Sequence, residues 1–324
     1  MASGSHVTLA TTARFSVFEL GGTAKFESMQ EPQKAAAPKA QPPSLFPPTQ
    51  RVYMLDTYKL VDEAVLLGVV EDEAQGTAVI LDRTIFHPQG GGQPSDQGTI
   101  TCGPCIFSVG MVRDVAGVIH HFGAMLGSPS WPEVGWPVSL ALDGPKRLRH
   151  AALHSAGHAV DKAVVGAVGA GVFSPLKGYH FDDSPYVEYR GVLPDGLTKD
   201  AFIEKLNTEL DKLIMADMAT VVETGQDSNG GKAPAPLEGE AVGVGGTENK
   251  VPSHGGVERR AGAEGISGAT KYGAETRIVT VAGLSCPCGG THVRSTRELE
   301  GVRVTKVKAK KGTLRVSYSL ISPQ

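Results

Sequence analysis

The pattern of apolar and polar positions changes period twice along the chain. From Arg51 to about Asp143, short apolar runs recur at Ala64–Val70, Ala78–Leu81, Ile106–Val112, Val118–Phe122 and Val138–Leu142. Turn signals separate them: Gly76-Thr77, the run Pro88–Pro94, Gly103-Pro104 and Ala116-Gly117. Short strands punctuated in this way predict a small β-barrel. From Pro145 the pattern becomes helical. Arg147–Val168 holds no proline, is dense in Ala, Leu and Val, and predicts a helix ended by Gly166 or Gly169. Leu176–Phe181 and Tyr186–Tyr189 read as a hairpin around Asp182-Asp183. A second helix is expected from Thr198, a suitable N-cap, to Met218, with Phe202, Leu206, Leu210, Leu213 and Ile214 as its apolar stripe. Near the C-terminus come a strand (Thr276–Val281), a turn of helix near Thr296–Glu300, and a hairpin of Val302–Val307 with Thr313–Leu320.

Two stretches lack any period. All six prolines before Arg51 fall between Pro32 and Pro48, with Ala, Gln and Lys between them, which is a linker composition. Residues 225–273 contain 13 Gly and three Pro, and read as a disordered insertion within a domain. The expected organisation is therefore a disordered extension over 1–48, a β-barrel domain with a Gly-rich loop over 49–143, and an α+β domain over 144–324. That last domain would hold an antiparallel sheet, two main helices and the insertion.

Composition narrows the function classes. The chain of 324 residues has 31 Lys+Arg against 34 Asp+Glu, a formal net charge of −3, which excludes a uniformly basic nucleic-acid coat. No apolar run approaches the roughly 18–20 residues of a membrane-spanning helix, so no membrane partner is expected. Four Cys do not make a disulfide framework at this size and point to metal or thiol chemistry in a reducing compartment. Residues 1–26 are rich in Ser, Thr and Ala, with Arg14 and Lys25 against the single acid Glu19. The location expected is cytoplasmic, with a chloroplast or mitochondrial address in this extension as the alternative.

His150, His154 and His158 recur every four residues on the first helix and share one face. An i,i+4 pair can chelate one ion, but His150 and His158, about 12 Å apart along the axis, cannot share it. Spacing alone leaves open whether the pair is His150 with His154 or His154 with His158. Cys286-Pro287-Cys288-Gly289-Gly290-Thr291-His292 supplies a thiolate and an imidazole four apart in a Gly-rich turn. Together the two segments offer a His₃Cys set competent for tetrahedral Zn²⁺. The loop between Pro88 and Pro94 carries three consecutive glycines, which bring bare backbone N–H groups close to a ligand, and Gln93, whose amide can donate to an ester carbonyl or orient a water.

Two further features bear on function. Cys102-Gly103-Pro104-Cys105 matches the letters of a thiol-redox motif, but its flanks are β-like and Gly-Pro reads as a hairpin turn. Between Arg294 and Arg315 stand eight basic residues against Glu298 and Glu300, with Lys306, Lys308 and Lys310 on one strand face. Arg294, Lys306, Lys308, Lys310 and Lys311 are the candidate RNA contacts. Trp131 and Trp136 read as packing residues.

Three segments in this order resemble the alanyl-tRNA editing protein family (AlaX), free-standing relatives of the editing domain of alanyl-tRNA synthetase. They are Thr84-Ile-Phe-His-Pro-Gln-Gly-Gly-Gly-Gln-Pro-Ser-Asp-Gln-Gly98, His150-Ala-Ala-Leu-His154-Ser-Ala-Gly-His158 and Cys288-Gly-Gly-Thr-His292-Val293. Gly178–Tyr189 is similar to the family as well. The departures are His87, where the family often has Tyr, and the long insertion. The resemblance implies one Zn²⁺ per chain on His154, His158, Cys288 and His292, with His150 outside the set. It implies an ATP-independent aminoacyl-tRNA ester hydrolase acting in trans for translation fidelity, removing Ser or Gly from alanine tRNA. Thr84, by its place in the motif, becomes the candidate reader of the serine hydroxyl, beside Gln93 at the ester. The alternatives are a zinc-stabilised tRNA-binding module without catalysis and a thiol oxidoreductase using Cys102 and Cys105.

Overall fold

A computed structural model describes residues 45–127, 132–226 and 275–321 of the chain, all within one compact unit. Trp131, most of the extension expected over 1–48 and nearly all of the insertion expected over 225–273 lie outside the described residues. Packing begins slightly before the expected boundary. The ring of Phe46 lies against Gly68, where a Cβ would sit 2.7 Å from it.

The first part is strand apart from a 3-10 turn at Val52–Met54: β1 (Gln50–Arg51), β2 (Val61–Asp72), β3 (Gly76–Leu81), β4 (Arg83–Thr84), β5 (Gly98–Cys102), β6 (Cys105–Val115), β7 (Val118–Leu126) and β8 (Pro137–Leu142). Six of them close a barrel in the order β2-β3-β7-β6-β5-β8, every neighbouring pair antiparallel. Closure removes the unpaired edges that an open sheet of this kind would expose. Leu66, Val79, Ile100, Phe107, Ile119 and Leu140 belong to its core. β5 has no apolar run to betray it; Ile100 is its one buried residue.

The helix α1 (Gly144–Val168) follows at once. Asp143 caps it, accepting the Lys146 N–H, and Pro145 sits in the first turn. It runs through Gly166 and stops at Gly169, whose φ is 89°. Then come β9 (Ser174–Tyr179), β10 (Tyr186–Arg190), α2 (Lys199–Met215), β11 (Val221–Gln226), β12 (Glu275–Val281), β13 (Leu284–Pro287), β14 (Val302–Lys310) and β15 (Thr313–Leu320). α2 ends three residues earlier than its sequence suggests, with Asp217 at φ 47°. No described helix is long and apolar enough to cross a membrane.

The architecture is mixed α+β, with three further sheets among the described residues: the short parallel pair β1-β4, β14-β15-β10-β9 and β11-β12-β13. Leu153, Val160, Phe202 and Leu206 of the helices share a core with Val187, Tyr189, Val316 and Tyr318 of the four-stranded sheet. β11 escapes sequence reading because Val221 and Val222 are both exposed, so it shows no alternation. It takes Gly225 and Gln226 away from the expected insertion, and Gln226 pairs with Glu275 across the sheet.

A buried ion pair ties barrel to helix. Arg147, in the first turns of α1, is paired with Asp96 at the end of the Gly-rich segment and donates to Thr57 O at 3.0 Å and to Ile85 O. Asp96 also accepts the His87 N–H. Removing one member of such a pair typically costs about 3–5 kcal/mol. Neither residue stood out in the sequence, because their partnership spans 51 positions.

Candidate metal centre

α1 carries His154 and His158 one turn apart. The loop after β13 brings Cys288 and His292 to the same point, and the ligand atoms of the four all lie within 4.8 Å of one another. Cys288 Sγ is 3.5 Å from His154 Nε2 and 3.3 Å from His292 Nε2. With Zn–S near 2.3 Å and Zn–N near 2.05 Å, a tetrahedral centre has an S···N edge of roughly 3.5 Å. The donor set and its spacing fit one metal ion.

The outer nitrogens are held by the protein, which directs the inner ones. His154 Nδ1–H donates to Gln93 Oε1 at 2.8 Å, and His292 Nδ1 meets Ser155 Oγ at 3.1 Å. His158 Nδ1 lies 3.5 Å from Cys286 Sγ and 4.0 Å from Asp161, whose other oxygen accepts the Tyr189 hydroxyl at 2.8 Å. Such partners fix ring tautomer and orientation around a metal. Gly290 is required by close approach: a Cβ there would stand 2.2 Å from the His154 ring.

The electrostatics suit a cation. Burial, then the neighbouring histidines, hold His154 and His292 well below the ordinary imidazole range, so both rings are neutral at pH 7 with lone pairs to give. Burial pushes the Cys288 thiol up, opposed by the Gly290 N–H and Arg277. A bound cation supplies what would make it a thiolate. Arg277 holds this loop in shape by donating to Cys288 O at 2.6 Å and Gly290 O at 3.0 Å.

A cavity of about 110 Å³ opens beside the cluster, lined among others by His154, His158, Cys288, Gly91, Lys177 and His180. Sequence reasoning passed over His180. Its ring stacks on His154 at 4.9 Å between centroids. Tyr318 Oη donates to Leu153 O at 2.9 Å, so at 2.6 Å it accepts from His180 Nδ1–H, and Nε2 is the ring's acceptor. A Cβ at Gly157 would stand 2.3 Å from this ring. The glycine between the two metal-pair histidines makes room for His180, and that is the signal the sequence offered.

The other expected residues lie apart from the cavity. Gln93 is fully buried; besides holding His154, its Oε1 accepts the Thr291 N–H at 3.1 Å and its Nε2 donates to Thr291 Oγ1 at 2.8 Å. It bridges the two metal-bearing segments. Thr84 is buried against the barrel core: its hydroxyl donates to His121 Nε2 at 2.8 Å and accepts the Phe86 N–H at 3.0 Å. Neither is among the described residues that line the cavity. His150 is buried and outside the cluster. Cys102 and Cys105 are cross-strand partners around the Gly103-Pro104 turn, with no helix terminus to activate a thiol. Trp136 is exposed, against the packing expectation. Lys306, Lys308 and Lys310 are exposed on one face of β14, and Lys311 is exposed in the turn. Arg294 instead lies 3.8 Å over the Tyr58 ring.

The comparisons with known proteins bear on both halves. Residues 48–145 match the family described as tRNA synthetases class II (A), and residues 276–316 match the threonyl and alanyl tRNA synthetase second additional domain. Alanyl-tRNA editing protein AlaX-L of Pyrococcus horikoshii is 27% identical over 83% of this chain, which spans only 57% of that relative's length. AlaX-M of Methanosarcina barkeri is 29% identical over 84% of this chain and 99% of its own. An alanine–tRNA ligase of Methanoculleus marisnigri is 28% identical over 81% of this chain but only 24% of the ligase. Barrel and Gly-rich loop fall inside the first of these family matches and the Cys/His turn inside the second, and over most of its length the chain is similar to the alanyl-tRNA editing proteins.

Proposed function

We propose that the chain is an aminoacyl-tRNA ester hydrolase that removes serine or glycine from mischarged alanine tRNA. The observation that carries this reading is the convergence of His154, His158, Cys288 and His292 beside a small cavity, in a chain whose relatives are named as alanyl-tRNA editing proteins. Alanine's own pocket discriminates poorly here: one methyl is worth only about 1–3 kcal/mol, and an added hydroxyl is rejected by only about 10². A second hydrolytic site corrects both errors.

Water adds to the ester carbonyl and the 3′ oxygen of the ribose leaves with a proton. The metal fitting the four donors is Zn²⁺, which when bound supplies positive charge to the reacting ester or to the amino group. Gln93 and Ser155 keep the ligand rings in place. The backbone at Gly91 borders the cavity, and Lys177 places a cation at its wall. Burial pushes His180 down to about 3, so it is neutral and offers Nε2 as an acceptor. With the Thr84 hydroxyl doubly engaged, His180 is the group suited to read a seryl hydroxyl.

A closed four-donor shell is also what structural zinc sites have, and that favours, as second reading, an RNA-binding module without catalysis. Purified protein incubated with Ser-, Gly- and Ala-charged alanine tRNA separates the two. Release of serine and glycine but not alanine supports hydrolysis; tight tRNA binding with no release of any of them leaves the binding module.

A further inference from the structure

The four-stranded sheet buries one face against α1 and α2, and among the described residues no helix or further sheet covers the other. Register aligns that other face into cross-strand rows. Lys306, Ser317, Tyr186 and Tyr179 form one row; Lys308, Arg315, Glu188 and Lys177 form the next. The third runs from Lys310 to Arg190. Their alternates, such as Val187, Leu314 and Val316, point into the core. Strand alternation therefore puts six cations and a single acid, Glu188, on one surface of a chain whose net charge is −3. A merely solvated face mixes its signs.

The same face carries stacked rings. Phe181 and Tyr179 stack at 4.5 Å with planes 12° apart. Tyr179 stacks on Tyr186 at 5.4 Å and 19°, and the Arg315 guanidinium covers Tyr186 at 4.0 Å. The acids beside the stack are already engaged: Asp182 with Arg149 at 2.7 Å, Asp183 with the Tyr179 hydroxyl at 3.1 Å. Lysines that track phosphates, next to rings that stack bases, are the two components of single-strand recognition. β9 joins this face to the cavity, since Lys177 belongs to both.

We propose that this open face binds single-stranded RNA, with phosphates along Lys306, Lys308 and Lys310 and a base stacked on the Phe181–Tyr179 pair. That the strand is the 3′ end of a tRNA, delivered over β9 into the cavity, rests on the function proposed above.

The test is equilibrium binding of a labelled short single-stranded RNA, and of alanine tRNA, at several salt concentrations. Lys306→Glu/Lys308→Glu/Lys310→Glu should weaken both more than tenfold and reduce the salt slope by about 2, at roughly 0.7 per single-strand phosphate contact. Phe181→Ala should weaken binding between about 5- and 150-fold with the slope unchanged, and Phe181→Trp should restore it. Lys199→Glu/Lys205→Glu, exposed on α2, is the control. If the triple glutamate variant misfolds, the triple Gln variant carries the test with a smaller loss. Wild-type affinity and slope in the triple variant, or an equal loss in the α2 control, overturns the surface. An unaffected Phe181→Ala overturns the stacking role. Hydrolysis by wild type without this binding pattern sinks the surface alone; the binding pattern without hydrolysis sinks the catalytic reading alone.

Discussion

Among the described residues, buried histidines stand in two settings, and these differ in what their nitrogens face. In the barrel, His121 donates from Nδ1 to Val79 O at 2.9 Å and accepts the Thr84 hydroxyl on Nε2. Both ring nitrogens of His121 have protein partners, so this site is closed. Around α1, the outer nitrogens of His154 and His292 are held in the same way, by Gln93 and Ser155. Their inner nitrogens face one thiol, beside a cavity. A buried histidine acts as structure when both nitrogens are satisfied by fixed groups. It acts as a ligand when several second nitrogens converge.

The largest effect follows from breaking that convergence. Cys288→Ala and His154→Ala should each abolish tight binding of one zinc per chain, whereas His150→Ala should keep it. Elemental analysis of purified protein decides the matter. Zinc at the wild-type level in both ligand variants would remove the site.

The buried histidines of the barrel half give the next effect, on stability against pH. Burial, partly opposed by Asp96, pushes His87 down to about 4. Burial, partly opposed by the bond to Val79 O, does the same to His121. Unfolded histidines protonate below about 6.5, so between pH 6.5 and 4 the unfolded state binds more protons. Stability is intact above that window and falls as pH drops through it. Each group contributes about 1.4 kcal/mol per pH unit. Melting of chelator-treated protein removes metal release from the profile, and the buried His154, His180 and His292 then add to the same fall. A flat profile between pH 6.5 and 4 would show that the barrel histidines are not sealed.

The features legible in the sequence were local. The i,i+4 histidines, the Cys288–His292 spacing, the turn-punctuated strands and both helices each lie within a few residues or turns of chain. What stayed hidden depends on contacts far apart. Gln93 reads as a group at the ester because its loop is glycine-rich; its partner Thr291 lies 198 positions away. His180 stands beside the metal pair because Gly157 admits it, and a glycine inside a helix names no neighbour. Thr84 meets His121 only once β4 and β7 are in place. The basic strand face was visible, but Arg190, Lys177 and the stacked rings join it only through the pairing of β10 with β15 and β9.

Gln93 sharpens the comparison at intermediate size. It belongs to the open cluster by contact yet is closed by its own bonds. Gln93→Ala should weaken zinc by about 10–100-fold, as loss of a ligand's outer partner does. Hydrolysis of Ser- and Gly-charged tRNA should then slow equally. Gln93→Glu, still able to accept from His154 Nδ1–H, should recover most of the affinity. Competition with a chelator measures this. Wild-type affinity in Gln93→Ala with slowed hydrolysis would return the residue to the ester.

Thr84 gives the smallest effect and the sharpest division between the clusters. Thr84→Val keeps the branched shape but leaves His121 Nε2 and the Phe86 N–H buried without their partner. Leaving such groups unsatisfied costs about 1–3 kcal/mol, which denaturant unfolding should report. The ratio of serine to glycine removal should stay as in wild type, because the hydroxyl faces the barrel and not the cavity. His180→Phe should behave in the opposite sense. It retains a planar ring in the same seat but loses the acceptor. A lost hydrogen bond of about 1–2 kcal/mol should lower serine removal roughly 5–30-fold relative to glycine, with zinc content unchanged. If Thr84→Val shifts the ratio while leaving stability alone, the hydroxyl reads substrate and the barrel cluster is not closed. If neither variant shifts it, serine is recognised by the metal or by the backbone of Gly90–Gly92.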